Sequence, residues 1–143
     1  MRSSSGEDLH WLFIPGGPGL GSESLIALVD ILELPGHIWL VDLPGDGSNV
    51  TANNNASFSH WGAALLEVVS EFEKVILVAP STGGMYALSL PQLETYLKGL
   101  ILLDSAPYAK WQIVFHENMQ RLPQKKSLVF CRSYIQKALL MRP

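Results

Sequence analysis

Cysteine is almost absent from the sequence, where Cys131 is the single example. One thiol excludes an internal disulfide framework and is typical of proteins in a reducing compartment, so we expect a cytoplasmic protein. The first residues lack the apolar core of a secretory signal, and no apolar run approaches the roughly 20 residues that span a bilayer. We therefore predict a globular protein that has no membrane partner.

Basic residues are also few, with 10 Lys and Arg against 13 Asp and Glu and a net charge of -3. This balance does not predict nucleic-acid binding, which needs a dense cationic surface. The 143 residues are 48% hydrophobic, which is enough for a domain with a buried core. Neither the four histidines nor the cysteine have the spacing of metal ligands, so we predict no metal site.

Acidic residues are missing from the end of the chain. Residues 121–143 hold six basic residues and no acidic ones, whereas residues 1–120 hold all 13 acidic residues and four basic ones. Three origins fit such a break: a basic tail that binds an acidic partner, a solvated helix face, or a changed reading frame. Our hypothesis is a frame change with an early stop, in which case the gene's other frames should encode a further strand and a histidine.

Apolar runs alternate with amphipathic segments along the chain. Helices that start at Ser22 and Ser57, and a short helix closed by Pro91, separate four predicted strands. The second and fourth strands are apolar enough to be buried on both faces, as parallel strands are. This order predicts an α/β fold with a mostly parallel sheet and helices on both faces. The predicted strands are residues 9–14, 37–42, 75–79 and 100–104. Helical spacing predicts core positions for Phe58, Trp61, Leu65, Val68 and Phe72.

The third predicted strand runs into a turn that is rich in small residues. Ala79 and Gly83 stand two places before and after Ser81, and small-x-Ser-x-Gly is typical of a strand-to-helix elbow. In such a corner only small neighbours let the backbones pass, and the central side chain is held out at the end of the sheet. Taken alone, the same residues also fit a loop in which serine caps the helix.

Four segments together resemble the amino-terminal half of the α/β-hydrolase family, over roughly residues 9–110. Residues 15–19 resemble the H-G-G-P-G loop of proline iminopeptidases and their ester-hydrolysing relatives, and residues 42–48 resemble D-L-P-G-H-G-x-S. Residues 79–84 resemble G-H-S-x-G-G, and residues 99–107 resemble the strand that follows the elbow helix. Where the family usually has histidine, or at the last position histidine or tyrosine, this sequence has Pro15, Asp46 and Pro80.

The resemblance implies a serine hydrolase that acts on a small-molecule acyl substrate, a carboxylic ester or an amide. Ser81 matches the nucleophile, and the backbone N–H groups of Gly17 and Thr82 match the donors that stabilise an oxyanion. No cofactor is implied. Retained serine also argues against the branches of the family that use an aspartate nucleophile.

A base for Ser81 is harder to find, because the family places its histidine after the last strand. His10 and His37 begin strands, far from the edge where Ser81 is expected, and His60 falls in an amphipathic helix on a sheet face. Only His116 follows Ser81, in the region where the family inserts a lid. Two roles are open for Asp104, that of an orienting acid and that of a cap for the turn into Ser105.

We therefore expect a truncated α/β-hydrolase fold with a damaged or absent catalytic triad. It would form one domain over residues 1–143, incomplete at the C-terminus, with core elements over 9–110, the start of a lid over 108–122 and an atypical basic tail over 123–143. One alternative is a non-catalytic hydrolase remnant whose strand edges are open to other chains.

A second alternative is an NAD(P)-binding Rossmann-like domain. Gly17, Gly19 and Gly21 would form its phosphate loop, and Asp42 would bind the ribose. The spacing G-x-G-x-G lacks the third glycine at the offset that this motif needs, and Pro18 interrupts the turn.

Overall fold

The computed structural model describes residues 2–3, 8–17, 20–50, 59–108 and 110–121. The chain divides into two compact units, Met1–Pro107 and Tyr108–Pro143. The first unit contains the sheet and all the residues predicted to act on a substrate. One domain over residues 1–143 stays a prediction.

A mostly parallel sheet forms the centre of the first unit. Among the described residues it has five strands in the order β1-β3-β2-β4-β5. β2 to β5 run parallel to one another, and β1 pairs with β3 in the antiparallel direction. The predicted α/β class is confirmed. The short β1 was not predicted, because its two residues carry no apolar pattern. The strands are β1 (Arg2–Ser3), β2 (His10–Phe13), β3 (His37–Leu40), β4 (Val75–Pro80) and β5 (Leu97–Leu103).

Helices connect the parallel strands. A 3-10 turn, Ser22–Leu25, leads into α1 (Ile26–Ile31), and another, Pro91–Thr95, precedes β5. The other helices of the first unit are α2 (Ser59–Ser70) and α3 (Ser81–Leu88). Ser22 does not cap a helix, because Gly21 is the N-cap of the 3-10 turn and Leu25 is the N-cap of α1, and neither end has a side-chain cap hydrogen bond. The backbone N–H of Ser22 donates to Oδ1 of Asp42.

Each face of the sheet has its own core, because side chains alternate along a strand. On one face, Leu65 of α2 packs with Leu77 of β4, and α3 contributes Ala87 to the same cluster. On the other face, Val29 of α1 packs with Val78 of β4. Helices therefore cover both faces, as predicted.

The apolar stripe predicted for α2 is largely confirmed. Trp61 and Leu65 are buried, and Val68 and Phe72 pack against the same core from partly buried positions. Val69, outside the predicted stripe, is also fully buried, because the core-facing stripe of a globular helix is wider than one residue per turn. Outside the described residues lie Ser57 and Phe58.

Complete burial of β3 and β5, which their apolar content predicts, is wrong. Leu40 of β3 is exposed, and Leu100, Ile101 and Leu102 of β5 expose 37%, 40% and 38% of their surfaces. Within the described residues, β5 has a neighbouring strand on one side only, and β3 borders the two-residue β1. Apolar content indicates which strands can be buried, but it does not indicate which strands lie at the edge of the sheet.

The second unit is described over Tyr108 and one helix, α4 (Lys110–Arg121). Lys110 Nζ lies 5.7 Å from the ring centroid of Tyr108, and the rings of Trp111 and Phe115 are 6.3 Å apart. The predicted basic tail, residues 123–143, lies outside the described residues. No helix in the described part of the chain is long and apolar enough to cross a membrane.

Candidate active site

A sharp corner joins β4 to α3. The strand ends at Pro80 and the helix begins at Ser81, with no residue between them. Ser81 has a φ of 47°, in the left-handed region that residues with a side chain rarely adopt, and it is exposed. The alternative in which serine caps the helix is wrong, because Pro80 occupies the N-cap position and the first turn of α3 has no side-chain cap hydrogen bond.

Small residues make room for this corner. Ala79 is fully buried beneath it. A β-carbon built on Gly83 would lie 2.5 Å from the carbonyl oxygen of Pro15, and one built on Gly84 would overlap the side chain of Ser105. In both cases the added β-carbon would be closer to its neighbour than van der Waals contact allows. A larger residue at either position would therefore push the adjoining loop away.

The glycine-rich loop after β2 lies against the corner. A β-carbon on Gly16 would be 3.4 Å from the β-carbon of Ser81, and one on Gly17 would be 3.8 Å from Oγ1 of Thr82. The proximity arises because β2 and β4 are parallel neighbours, whose carboxyl ends meet at one edge of the sheet. The structure therefore brings together Gly17, Ser81 and Thr82. Outside the described residues lie Pro18 and Gly19.

The first turn of α3 has no side-chain cap. Its N-cap, Pro80, has no polar side chain that could accept from the first N–H groups. The N-terminus of a helix leaves these donors without intrahelical partners and favours negative charge. The backbone N–H of Thr82 therefore belongs to a set of donors that suits an anion.

Asp42 ties together two loops at the same edge of the sheet. Its Oδ1 accepts from the N–H of Ser22 at 2.6 Å, and its Oδ2 accepts from the N–H and the hydroxyl of Ser48 at 2.8 and 2.6 Å. Partial burial by itself raises the pKa of Asp42, but the hydrogen bonds from Ser22 and Ser48 outweigh it and lower the pKa to about 2. The acid of the D-L-P-G-like segment thus has a structural role.

A buried carboxylate, Asp46, stands where the resemblance leads us to expect histidine. Asp46 is 6% exposed. The pKa of Tyr86 on α3 is raised, first by the partial burial of Tyr86 itself and then by the negative charge of Asp46. The ring of Tyr86 lies 4.9 Å from that of Trp61, whose Nε1 donates to the carbonyl oxygen of Pro44 at 2.9 Å. The sequence predicts Trp61 as a core residue and indicates no role for Tyr86. The sequence feature that could have indicated this arrangement is Asp46, an acidic residue in a segment, residues 43–57, that is otherwise uncharged.

The turn after β5 supplies a contact that the sequence did not reveal. Ser105 Oγ donates a hydrogen bond of 2.6 Å to the carbonyl oxygen of Ser81. Asp104 has a φ of 49°, and no hydrogen bond reaches its exposed carboxylate from the described residues. The expectation that Asp104 caps the turn into Ser105 is therefore wrong, whereas its role as an orienting acid stays a prediction.

Two of the three histidines of the first unit, His10 and His37, lie at the far end of the sheet from Ser81. His10 is paired with Val75, six residues before Ser81, which places it roughly 20 Å away at about 3.3 Å per residue. His37 is paired with His10, and their rings stack 5.2 Å apart. His60 is exposed in the first turn of α2. The predicted distance of His10 and His37 from Ser81 is confirmed.

His116 lies on α4, in the second unit. Among the described residues, no group of three His, Cys, Asp or Glu side chains could hold a metal ion.

Comparison with known proteins supports the fold. No protein-family model and no curated protein matches the sequence. One solved structure with a similar fold is a variant of tomato methylketone synthase I complexed with beta-ketoheptanoate, with a TM-score of 0.55 and 18% sequence identity. The likeness covers 82% of this chain and 49% of that chain, so this chain spans about half of the neighbour's length. At this identity the likeness shows the α/β fold alone.

Proposed function

We propose that the chain is a serine hydrolase of the α/β-hydrolase family that acts on carboxylic esters or amides, with Ser81 as its nucleophile. The observation that carries the proposal is the exposed, left-handed position of Ser81 beside the glycine-rich loop. A serine that only started a helix would sit at the N-cap in extended conformation, without strain. Strained backbone at an exposed nucleophilic residue is characteristic of functional sites.

The oxyanion donors in this proposal are the backbone N–H groups of Gly17 and Thr82. Attack by Ser81 Oγ on the carbonyl carbon places a negative charge on the substrate oxygen, and two fixed N–H groups stabilise it. Removal of one such donor typically raises the barrier by about 3 kcal/mol. The uncapped first turn of α3 and the closeness of Gly17 to Thr82 support this arrangement.

The reaction is expected to be slow. His10 and His37 lie at the far end of the sheet from Ser81. In this proposal the hydroxyl proton therefore passes to water as the acyl–oxygen bond forms. Enzymes that have lost a triad member keep on the order of 10³-fold acceleration over water, from the oxyanion donors and binding. Ester substrates are favoured over amides, because an alkoxide leaves without prior protonation more readily than an amine anion.

A fluorophosphonate probe tests the nucleophile directly, because the hydroxyl of a nucleophilic serine forms a phosphonate ester with it and expels fluoride. We expect the wild-type chain to be labelled and Ser81→Ala not to be labelled. The matched control is Ser89→Ala at the other end of α3, where the hydroxyl is exposed and bonds to the carbonyl of Tyr86. Equal labelling of wild type and Ser81→Ala would refute the proposal.

Dinucleotide binding is not favoured as a second function. Both oxygens of Asp42, its candidate ribose ligand, already accept hydrogen bonds from Ser22 and Ser48. A thermal shift with NAD(P) would revive this alternative. The proposal further includes a cytoplasmic location and a small-molecule acyl substrate, with neither nucleic acid nor membrane as a partner.

A further inference from the structure

We propose that Ser105 is a positioning residue for the oxyanion site, which it orients through the carbonyl group of Ser81. The inference rests on the proposed function and adds a residue to which the resemblance assigns no role. Its basis is the hydrogen bond of 2.6 Å from Ser105 Oγ to the carbonyl oxygen of Ser81. This bond links the turn after β5 to the corner between β4 and α3.

The bond acts on the oxyanion donor through the planarity of the peptide unit. The carbonyl of Ser81 and the N–H of Thr82 belong to one peptide group, so fixing the direction of the carbonyl fixes the direction of the N–H. A donor on the carbonyl oxygen also polarises the group and makes its N–H a stronger hydrogen-bond donor. Ser105 therefore influences the substrate oxygen without touching it.

The surroundings hold Ser105 in place. A β-carbon on Gly84 would overlap the hydroxyl and the β-carbon of Ser105, which shows how closely the side chain packs against α3. The preceding residue, Asp104, has a φ of 49° and turns the chain from β5 toward the corner. Two residues other than glycine in the left-handed region, Ser81 and Asp104, thus lie at the carboxyl ends of neighbouring strands.

The test compares two serine hydroxyls that make the same kind of bond at opposite ends of α3. Ser105→Ala removes the bond to the carbonyl of Ser81, and Ser89→Ala removes a bond of 2.7 Å to the carbonyl of Tyr86. Ser105→Thr keeps a hydroxyl and serves as the rescue variant. Two quantities are measured: the second-order rate constant for fluorophosphonate labelling, and hydrogen exchange of the Met85 amide, whose helical acceptor is the carbonyl of Ser81.

We expect Ser105→Ala to slow labelling by about tenfold, less than the loss of a whole oxyanion donor. Ser89→Ala should stay within about twofold of wild type, and Ser105→Thr should recover most of the rate. Hydrogen exchange of the Met85 amide should rise in Ser105→Ala alone. Wild-type labelling in Ser105→Ala, or equal slowing in both alanine variants, would overturn the inference and leave the proposed function intact. If wild type itself is not labelled, the proposed function fails, and unchanged exchange in Ser105→Ala would then refute the positioning role as well.

Discussion

Asp42→Asn should destabilise the first unit in a manner that depends on pH. The carboxylate accepts three hydrogen bonds from Ser22 and Ser48, and its pKa falls from 3.8 to about 2. An asparagine can accept with one oxygen but turns an NH₂ group toward the other donors. The substitution therefore removes charge-assisted bonds and leaves a backbone N–H facing another donor.

The size of the effect follows from the pKa. A change from 3.8 to about 2 corresponds to about 2.5 kcal/mol of stabilisation of the ionised form in the folded state. Because Asp42 is partly exposed to water, which weakens its interactions, we expect about 1 kcal/mol. A pKa that is lower in the folded state stabilises the protein above the unfolded pKa. That contribution is therefore complete at neutral pH and is lost as the pH falls from about 4 to about 2.

Urea denaturation at a series of pH values measures this contribution. The free energy of unfolding of wild type should exceed that of Asp42→Asn by about 1 kcal/mol at pH 7, and the difference should shrink below about pH 4. Asp104→Asn is the matched control, since Asp104 also follows a strand at this edge but has no hydrogen bond to its carboxylate from the described residues. A difference that stays constant over the whole pH range, or an equal loss in the control, would refute the reasoning.

Two further predictions concern the corner at Ser81. Gly83→Ala should lower the free energy of unfolding by about 2 kcal/mol, because its β-carbon would lie 2.5 Å from the Pro15 carbonyl oxygen, whereas Gly99→Ala has 3.8 Å to its nearest neighbour and should be nearly neutral. Equal effects in urea denaturation would contradict this account of the elbow. Ser81→Gly should be about 1 kcal/mol more stable than Ser81→Ala, because glycine adopts a φ of 47° without strain. If alanine proved the more stable of the two, the backbone of Ser81 would not be strained.

Local sequence patterns predict the parallel strands, the helices between them and the corner between β4 and α3. The apolar run from Val75 ends at Pro80, and small residues on both sides of Ser81 specify a sharp turn, so the strand, the helix and the exposed serine could all be predicted. The closeness of Gly16 to Ser81 and of Gly17 to Thr82 follows from the parallel order of the strands, because parallel strands bring their carboxyl ends to one edge of the sheet. In each case the deciding residues lie within a few positions of one another, or follow from the alternation of strands and helices.

Contacts between distant segments were decided by the tertiary structure alone. Ser105 reaches the carbonyl of Ser81 across 24 residues, and Asp42 reaches the N–H of Ser22 across 20. Sheet order likewise left Leu100 and its neighbours exposed on β5, although their composition favours burial. The sequence by itself determined which segments form strands and helices and where the chain turns, because those choices depend on nearby residues. Which hydroxyl meets which carbonyl depends on how the segments pack, and that is set by the whole fold.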